Sequence, residues 1–427
     1  MEIDEQRLRL EGIYRQNDRG EFMQRVKLPG GLLSQLQART LGELGQAYGS
    51  GTLHLTTRGS VEFHNLRQDE LEAVYRGLAA VGLFSRGACG GAVRGISCSS
   101  SFGPGYGRTQ VLLRHFLRHF SGNPHFEGLP KKFKIAFEAG YERSRHLIQD
   151  LALVLVEEDG ENSRYDVWMA GGLGRQPRPA FLFADRVGET ELLPLAEAVI
   201  EVYRDGAQKG KRLKHLLLDI GEEELRQRVG QRVAGREPVA FTDAFDKSLV
   251  PAEGLRRVPI SIFAGELPAT QLTELAELAG EHGCQWLLVT PDQDLELLVA
   301  ESEALETRLE TEGFALAAGH GALRVCPGNH DCRMGLCATR DLAARIERDL
   351  GQLPPGKTLA ISGCPNSCAQ PQLAEFGIIA SRLVRDGEER YPRFDLYRRQ
   401  GNGLGEPVAT GLDEESLIAE LRKLFQD

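Results

Sequence analysis

The sequence predicts an α+β chain built from two homologous halves around a shared site, on three observations. A strand, strand and helix unit occurs twice, more than two hundred residues apart, and each copy belongs to a half with the same order of short unit, strand-rich unit and helix. The chain has 427 residues at 41% hydrophobic composition, enough core-forming material for about two to four compact units.

Taken along the chain, YGSGTLHLTTRGSVEFHNL reads as turn, strand, short turn and strand, because apolar and polar residues alternate in both runs behind Gly49 and Gly51. From Asp69 onward, Leu71, Val74, Tyr75 and Leu78 recur at helical spacing, which predicts a helix capped by Asp69 and ending near Gly82. Set without gaps against QWLLVTPDQDLELLVAESEALETRL, Leu53 meets Leu287, Leu55 meets Val289, Thr56 meets Thr290, Val61 meets Leu295, Leu71 meets Leu305 and Tyr75 meets Leu309. A unit that recurs only once at this distance is a duplication and not a solenoid. Arg58 of the first copy meets Asp292 of the second, as expected if one copy faces an anion and the other does not.

Between the copies, LPKKFKIAFEAG reads as a strand carrying three lysines, and YDVWMAGGLGRQPRP as a strand running into a glycine-rich loop. Helices are expected at about 187–205, 208–232 and 413–426, and the polar, aperiodic VAGREPVAFTDAFDKSLVPAEGLRR reads as a linker. These breaks divide the chain into 1–85, 86–235, a linker at 236–255, 256–318 and 319–427. GPGYGRT at 103–109 lacks a preceding strand and reads as a loop, so the chain shows no dinucleotide fingerprint.

Charge narrows the function classes. With 51 basic and 61 acidic residues the formal net charge is −10, so a broad electrostatic grip on nucleic acid or anionic membrane is not expected. The opening MEIDEQRLRLEG is charged and amphipathic, and no apolar run reaches bilayer length. The expectation is a cytoplasmic protein, in which crowded cysteines signal a metal site before they signal disulfides.

Five of the eight cysteines fall within residues 326 to 368. Cys326 and Cys332 have five residues between them, Cys364 and Cys368 three, and Pro327 and Pro365 stiffen the loops. Zinc knuckles favour tighter pairs, whereas iron–sulfur clusters accept varied spacing. From spacing alone a cluster, a zinc site and buried thiols all stay open, with His330 and Cys337 as rival ligands. Cys89, Cys98, Cys284 and Cys337 read as packing residues. Taken singly, Arg58 is a solvated turn residue, KKFK an edge-strand solubility device, GGLG a tight turn and KGKR at 209–212 a solvated helix start.

CPGNHDCRMGLCATR followed by ISGCPNSCAQPQLAEFGIIA closely resembles the paired cysteine signature of the siroheme-dependent nitrite and sulfite reductases. EGIYRQNDRGEFMQRVKLPGG, LHLTTRGSVEFHNL, VRGISCSS, LPKKFKIAFEAG and WMAGGLGRQP resemble that family's successive landmarks, in order and over nearly the whole chain. The resemblance implies a pseudo-two-fold fold with two ferredoxin-like half-domains, 1–85 and 256–318, and two siroheme and iron–sulfur α+β domains, 86–235 and 319–427. It implies that Cys326, Cys332, Cys364 and Cys368 ligate a 4Fe-4S cluster, with Cys368 also the axial ligand of the siroheme iron. It implies that Arg58, Arg94, Lys132 and Lys134 bind a small oxyanion, and that ferredoxin or a separate flavoprotein brings the electrons.

The activity expected on this resemblance is six-electron reduction of sulfite to sulfide or nitrite to ammonia. Retention of both lysines favours sulfite, a dianion suited to four cations, while SCAQ after Cys364-Pro365-Asn366 resembles the nitrite members. The alternatives are a nitrite reductase proper, a precorrin-3B synthase-like enzyme and a non-catalytic iron–sulfur protein on the same scaffold.

Overall fold

A computed structural model describes residues 4–99, 102–241, 250–317 and 321–426. Two antiparallel sheets lie at its centre, and each takes an edge strand from the other half. The first runs Ile13–Arg15, Phe22–Val26, Val61–Leu66, Thr52–Leu55 and then Glu266–Pro268; the second runs Arg256–Ile260, Leu295–Val299, Trp286–Val289 and then Leu32–Ser34. Glycine permits the exchange on both sides. A Cβ on Gly31 (φ +89°) would meet the Val289 carbonyl at 2.3 Å, and one on Gly265 (φ +69°) would meet the Leu55 carbonyl at 2.8 Å.

Gly31 and Gly265 stand in the same register as Leu55 and Val289, so the duplication extends beyond the strand, strand and helix unit. The helices Gln35–Ala47 and Ala269–Glu281 also correspond and pack on each other, closely enough that a Cβ on Gly42 would meet Thr273 Oγ1 at 2.3 Å. Leu41, Leu53, Leu55, Val61, Leu272, Leu287, Val289 and Leu295 thus share one buried core. The half-units expected at 1–85 and 256–318 are interlaced, because each sheet would otherwise expose a bare edge.

Two mixed sheets flank this centre. One runs Ile135–Glu138, Leu151–Glu157, Arg164–Met169, Phe181–Gly188; the other Ala322–Val325, Thr358–Ser362, Phe376–Asp386, Glu389–Arg398, Glu406–Leu412. Each starts with parallel pairing and continues antiparallel. Each has its own core, the first closed by the Tyr106–Phe120 and Leu192–Gly206 helices and the second by Thr339–Leu350 and Glu414–Gln426.

Several expectations change. Glu70, not Asp69, stands at the N-cap of the Leu71–Ala80 helix, without a side-chain cap bond. Tyr75 is exposed where Leu309 is buried, because Val74 and Leu78 carry the core face of the first copy. The helix expected from 187 begins at Leu192, after a strand reaching Gly188. The one expected at 208–232 breaks at Gly221 (φ +82°) into Leu213–Ile220 and Glu222–Val233. GPGYGRT is half helix, since Tyr106 opens the Tyr106–Phe120 helix. Of the linker expected at 236–255, residues 242–249 lie outside the described residues, and the stretch before them docks: Val239 N–H donates to the Thr190 carbonyl at 2.8 Å and Phe241 is buried against Phe116. Among the described residues, no helix is long and apolar enough to cross a membrane.

Candidate active site

The two halves meet around a cavity of about 390 Å³, within the usual range for a ligand site. Cys326, Cys332, Cys364 and Cys368 line it together with Arg58, Arg94, Lys132 and Lys134, and Arg25 and Lys27 line it too. The thiols come from the second half and the cations from the first.

The thiol wall is built from two tight loops. Cys326 ends the Ala322–Val325 strand, and its sulfur accepts the Gly363 N–H at 3.1 Å. Thr339 Oγ1 donates to the Cys326 carbonyl at 2.5 Å, and the Leu336 N–H to the Gly363 carbonyl at 2.7 Å. A Cβ on Gly335 would meet the Asn329 nitrogen at 2.3 Å, so the first cysteine loop folds tightly on itself, and one on Gly363 would meet the Gly328 Cα at 3.0 Å, so the second packs closely on the first. Cys364 is buried and Cys326 half-buried, while Cys332 and Cys368 are exposed towards the cavity. Burial pushes the Cys332 thiol up to about 11, with the neighbouring Cys368 and Cys364 adding to the shift against the Met334 N–H.

Cys337 is buried in the core of the last domain and His330 pairs with Asp341 at 3.4 Å, so neither rival joins the quartet. Cys89, Cys98 and Cys284 are buried, as expected of packing thiols. Among the described residues no three His, Cys, Asp or Glu side chains gather tightly enough to hold a single metal ion.

Arg58 sits on the turn between the Thr52–Leu55 and Val61–Leu66 strands and is half-buried, not solvated. Its guanidinium donates to Gln149 Oε1 at 2.9 Å and the Gly95 carbonyl at 2.7 Å. Burial, reinforced by Arg94, lowers its pKa to about 9. Arg94 donates to the Ala88 and Gly90 carbonyls, and its buried Nε has no hydrogen-bond partner among the described residues.

Lys132 and Lys134 precede the Ile135–Glu138 strand rather than lying in it. They still alternate, with Phe133 between them turned into the core. Neither ammonium has a hydrogen bond or ion pair among the described residues. Burial lowers Lys132 to about 8 against the opposing pull of Cys368, and lowers Lys134 further, with Arg58 and Lys132 as like-charged neighbours.

Sequence reasoning missed what fixes Lys134. The Asp150 carboxylate accepts its backbone N–H at 2.9 Å, and the Asp150 N–H donates back to its carbonyl at 3.1 Å. Asp150 is in turn gripped by Arg212 at 2.7 Å, a fully buried pair that corrects the solvated reading of KGKR at its last residue, while Lys209, Gly210 and Lys211 are exposed as expected. Arg212 also donates to Gly171, and Lys214 to the carbonyls of Gly172, Leu173 and Gln176, so the GGLG loop is held by buried cations. Arg25 and Lys27 alternate in MQRVKLPG, a signal that could have marked them. Arg25 pairs with buried Glu62 at 2.5 Å, and Lys27 donates to the Arg86 carbonyl and Ser121 Oγ.

Comparison with known proteins decides the family. Residues 14–81 match the nitrite/sulfite reductase ferredoxin-like half domain and residues 106–236 the nitrite and sulphite reductase 4Fe-4S domain. A sulfite reductase (ferredoxin) of Mycolicibacterium paratuberculosis is 31% identical over 401 residues, 86% of this chain and 71% of that protein. The chain belongs to the nitrite and sulfite reductase family. A ferredoxin–nitrite reductase of Synechococcus elongatus is 29% identical over 99% of this chain and 89% of that protein. The solved structure of Mycobacterium tuberculosis NirA shares the fold with a TM-score of 0.84, at 24% identity over 98% of this chain and 86% of that one.

As a nitrite and sulfite reductase family member the chain is an oxidoreductase whose cofactors are a 4Fe-4S cluster and siroheme. The residues present fit both groups. Four sulfurs line the cavity without closing on a point, and the same cavity is lined by Arg94, Lys132 and Lys134, whose Nε and two ammonium groups have no hydrogen-bond partner among the described residues and suit a polyanion or oxyanion. The stretch matched as the 4Fe-4S domain, 106–236, contains no cysteine; the thiols lie in its counterpart in the other half.

Proposed function

We propose that this chain is a sulfite reductase, converting sulfite to sulfide by six electrons, with nitrite as a second substrate reduced to ammonia at the same site. The observation that carries this reading is the convergence of Arg58, Arg94, Lys132 and Lys134 on the cavity that the four cysteines also line. Four cations suit a dianion better than a monoanion, and both Lys132 and Lys134 of KKFK are present. SCAQ, which resembles the nitrite members, supports the second activity.

Cys326, Cys332, Cys364 and Cys368 would hold the cluster, and Cys368 would also reach the siroheme iron. When bound, these groups would relay the donor's electrons to the substrate. The chain's own residues do the rest. Arg58 and Arg94 are planar, permanent donors that orient the oxyanion. Lys132 Nζ, with a pKa near 8, exchanges its proton readily around neutral pH, and reduction of either anion consumes more protons than electrons. The buried wall strengthens each charge interaction at the breaking S–O or N–O bond. The electrons come from a separate donor, for which ferredoxin or a flavoprotein subunit is the proposed class.

Anaerobic purification after co-expression with siroheme synthesis is expected to give a chlorin-type heme band, and its absence sinks the reductase reading. Turnover with reduced viologen then ranks the anions, and faster nitrite turnover at matched concentration reverses the preference. Lys134→Asn is expected to weaken sulfite reduction more than nitrite reduction; equal losses remove the substrate argument.

A further inference from the structure

The duplicated turn of the second half has lost its place at the cavity and gained another. Asp292 corresponds to Arg58, yet it does not line the cavity. Its carboxylate is gripped by three arginines: Arg143, Arg145 at 2.7 Å and Arg324 at 3.0 Å. Burial works against its ionisation, and Arg145, Arg324 and Arg143 outweigh that to hold the carboxyl well below the usual range.

Two of those arginines continue to the loop that follows Cys368. Arg145 Nε donates to Gln370 Oε1 at 3.0 Å, Arg324 Nε to the Ala369 carbonyl at 3.2 Å and Arg324 Nη2 to the Gln370 carbonyl at 3.3 Å. The loop needs outside support, since Ser367 (φ +56°) and Gln370 (φ +60°) both take left-handed backbone without being glycine. The Arg58 side of the pseudo-two-fold grips the same loop. Thr57 Oγ1 donates to the Cys368 carbonyl at 2.9 Å, and Gln370 Nε2 donates to the Thr57 carbonyl at 3.0 Å. Gln149 joins the two sides, accepting from Arg58 at 2.9 Å and donating to the Arg145 carbonyl at 3.1 Å.

From this geometry we infer that Asp292 is a positioning residue. It holds Arg145 and Arg324 in the orientation that fixes the Cys368–Gln370 loop, and through that loop it sets where the Cys368 sulfur stands relative to Arg58. The duplicated turn thus contributes twice to one site, once as an anion-facing cation and once as the counter-ion of a cationic brace. The consequence for the heme rests on the reading of Cys368 given above; the brace itself does not.

Asp292→Asn keeps the shape and removes the charge that aligns both arginines. In the full-length, cofactor-loaded protein, hydrogen exchange is expected to quicken at least tenfold for the amides of 367–373, while the Leu295–Val299 strand keeps its protection. The chlorin-type band is expected to shift in wavelength relative to the parent protein. Unchanged protection at 367–373 overturns the inference, whereas quickened exchange with an unshifted band in heme-loaded D292N overturns its consequence for the heme. Should D292N fail to fold, Arg145→Lys, which loses the fork joining Asp292 to Gln370, carries the same expectations and the same refutations. A parent protein without any chlorin-type band fails the functional reading instead, and exchange at 367–373 still decides whether Asp292 holds the loop.

Discussion

Asp294 shows how far a single buried charge can depart from its ordinary behaviour. Burial raises its carboxyl to about 7, with Asp292 and Glu296 adding to the shift and the Ile262 N–H, which it accepts at 2.9 Å, opposing it. The folded protein therefore keeps a proton that the unfolded chain gives up near pH 4. This group's contribution is complete below about pH 4, falls as pH rises to about 7, and is absent above that. Asp294→Asn, which can still accept from Ile262, is expected to gain stability relative to the parent over that window, by up to roughly 4 kcal/mol at pH 8. Denaturant unfolding of both proteins from pH 4 to 8 checks this, and a flat difference profile contradicts it. At this scale legibility followed chain locality. Arg58 stood out because its duplicated partner is an aspartate, whereas Arg212 looked solvated because the aspartate that buries it lies at position 150, far away in sequence.

The cysteine loops depend on backbone contact as much as on their thiols. A methyl group at Gly335 would press on the Asn329 nitrogen and the Gly328 carbonyl between Cys326 and Cys332. Gly335→Ala is expected to lower iron and acid-labile sulfide by more than half, while Gly403→Ala, whose Cβ would meet open space, leaves both unchanged. Metal and sulfide analysis of the anaerobically purified proteins tests the pair, and equal contents in all three would contradict the assignment of a structural role to Gly335. Strand and helix identities in the duplicated unit were readable because alternation and helical spacing are local signals. The break of 208–232 at Gly221 and the late start at Leu192 were not, because a glycine inside a helical pattern and an edge strand running into a helix are resolved only by tertiary packing.

Across the whole molecule, the duplication was visible in sequence but the exchange of edge strands was not, since no local pattern says which sheet a three-residue strand joins. Leu32–Ser34 and Glu266–Pro268 complete each other's sheets, so a half expressed alone would lose an edge strand and a packed helix together. Residues 1–241 and 250–427 made separately are expected to aggregate; a monomeric half that unfolds cooperatively would contradict this. The interlock also bears on how rigid the cavity is. It lies between halves that are woven into one core, and the Thr57 to Cys368 bond ties the first half to the cysteine loop of the second. Swinging the halves apart would have to undo that weave, so the cavity is expected to keep its shape whether or not the cofactors are in place.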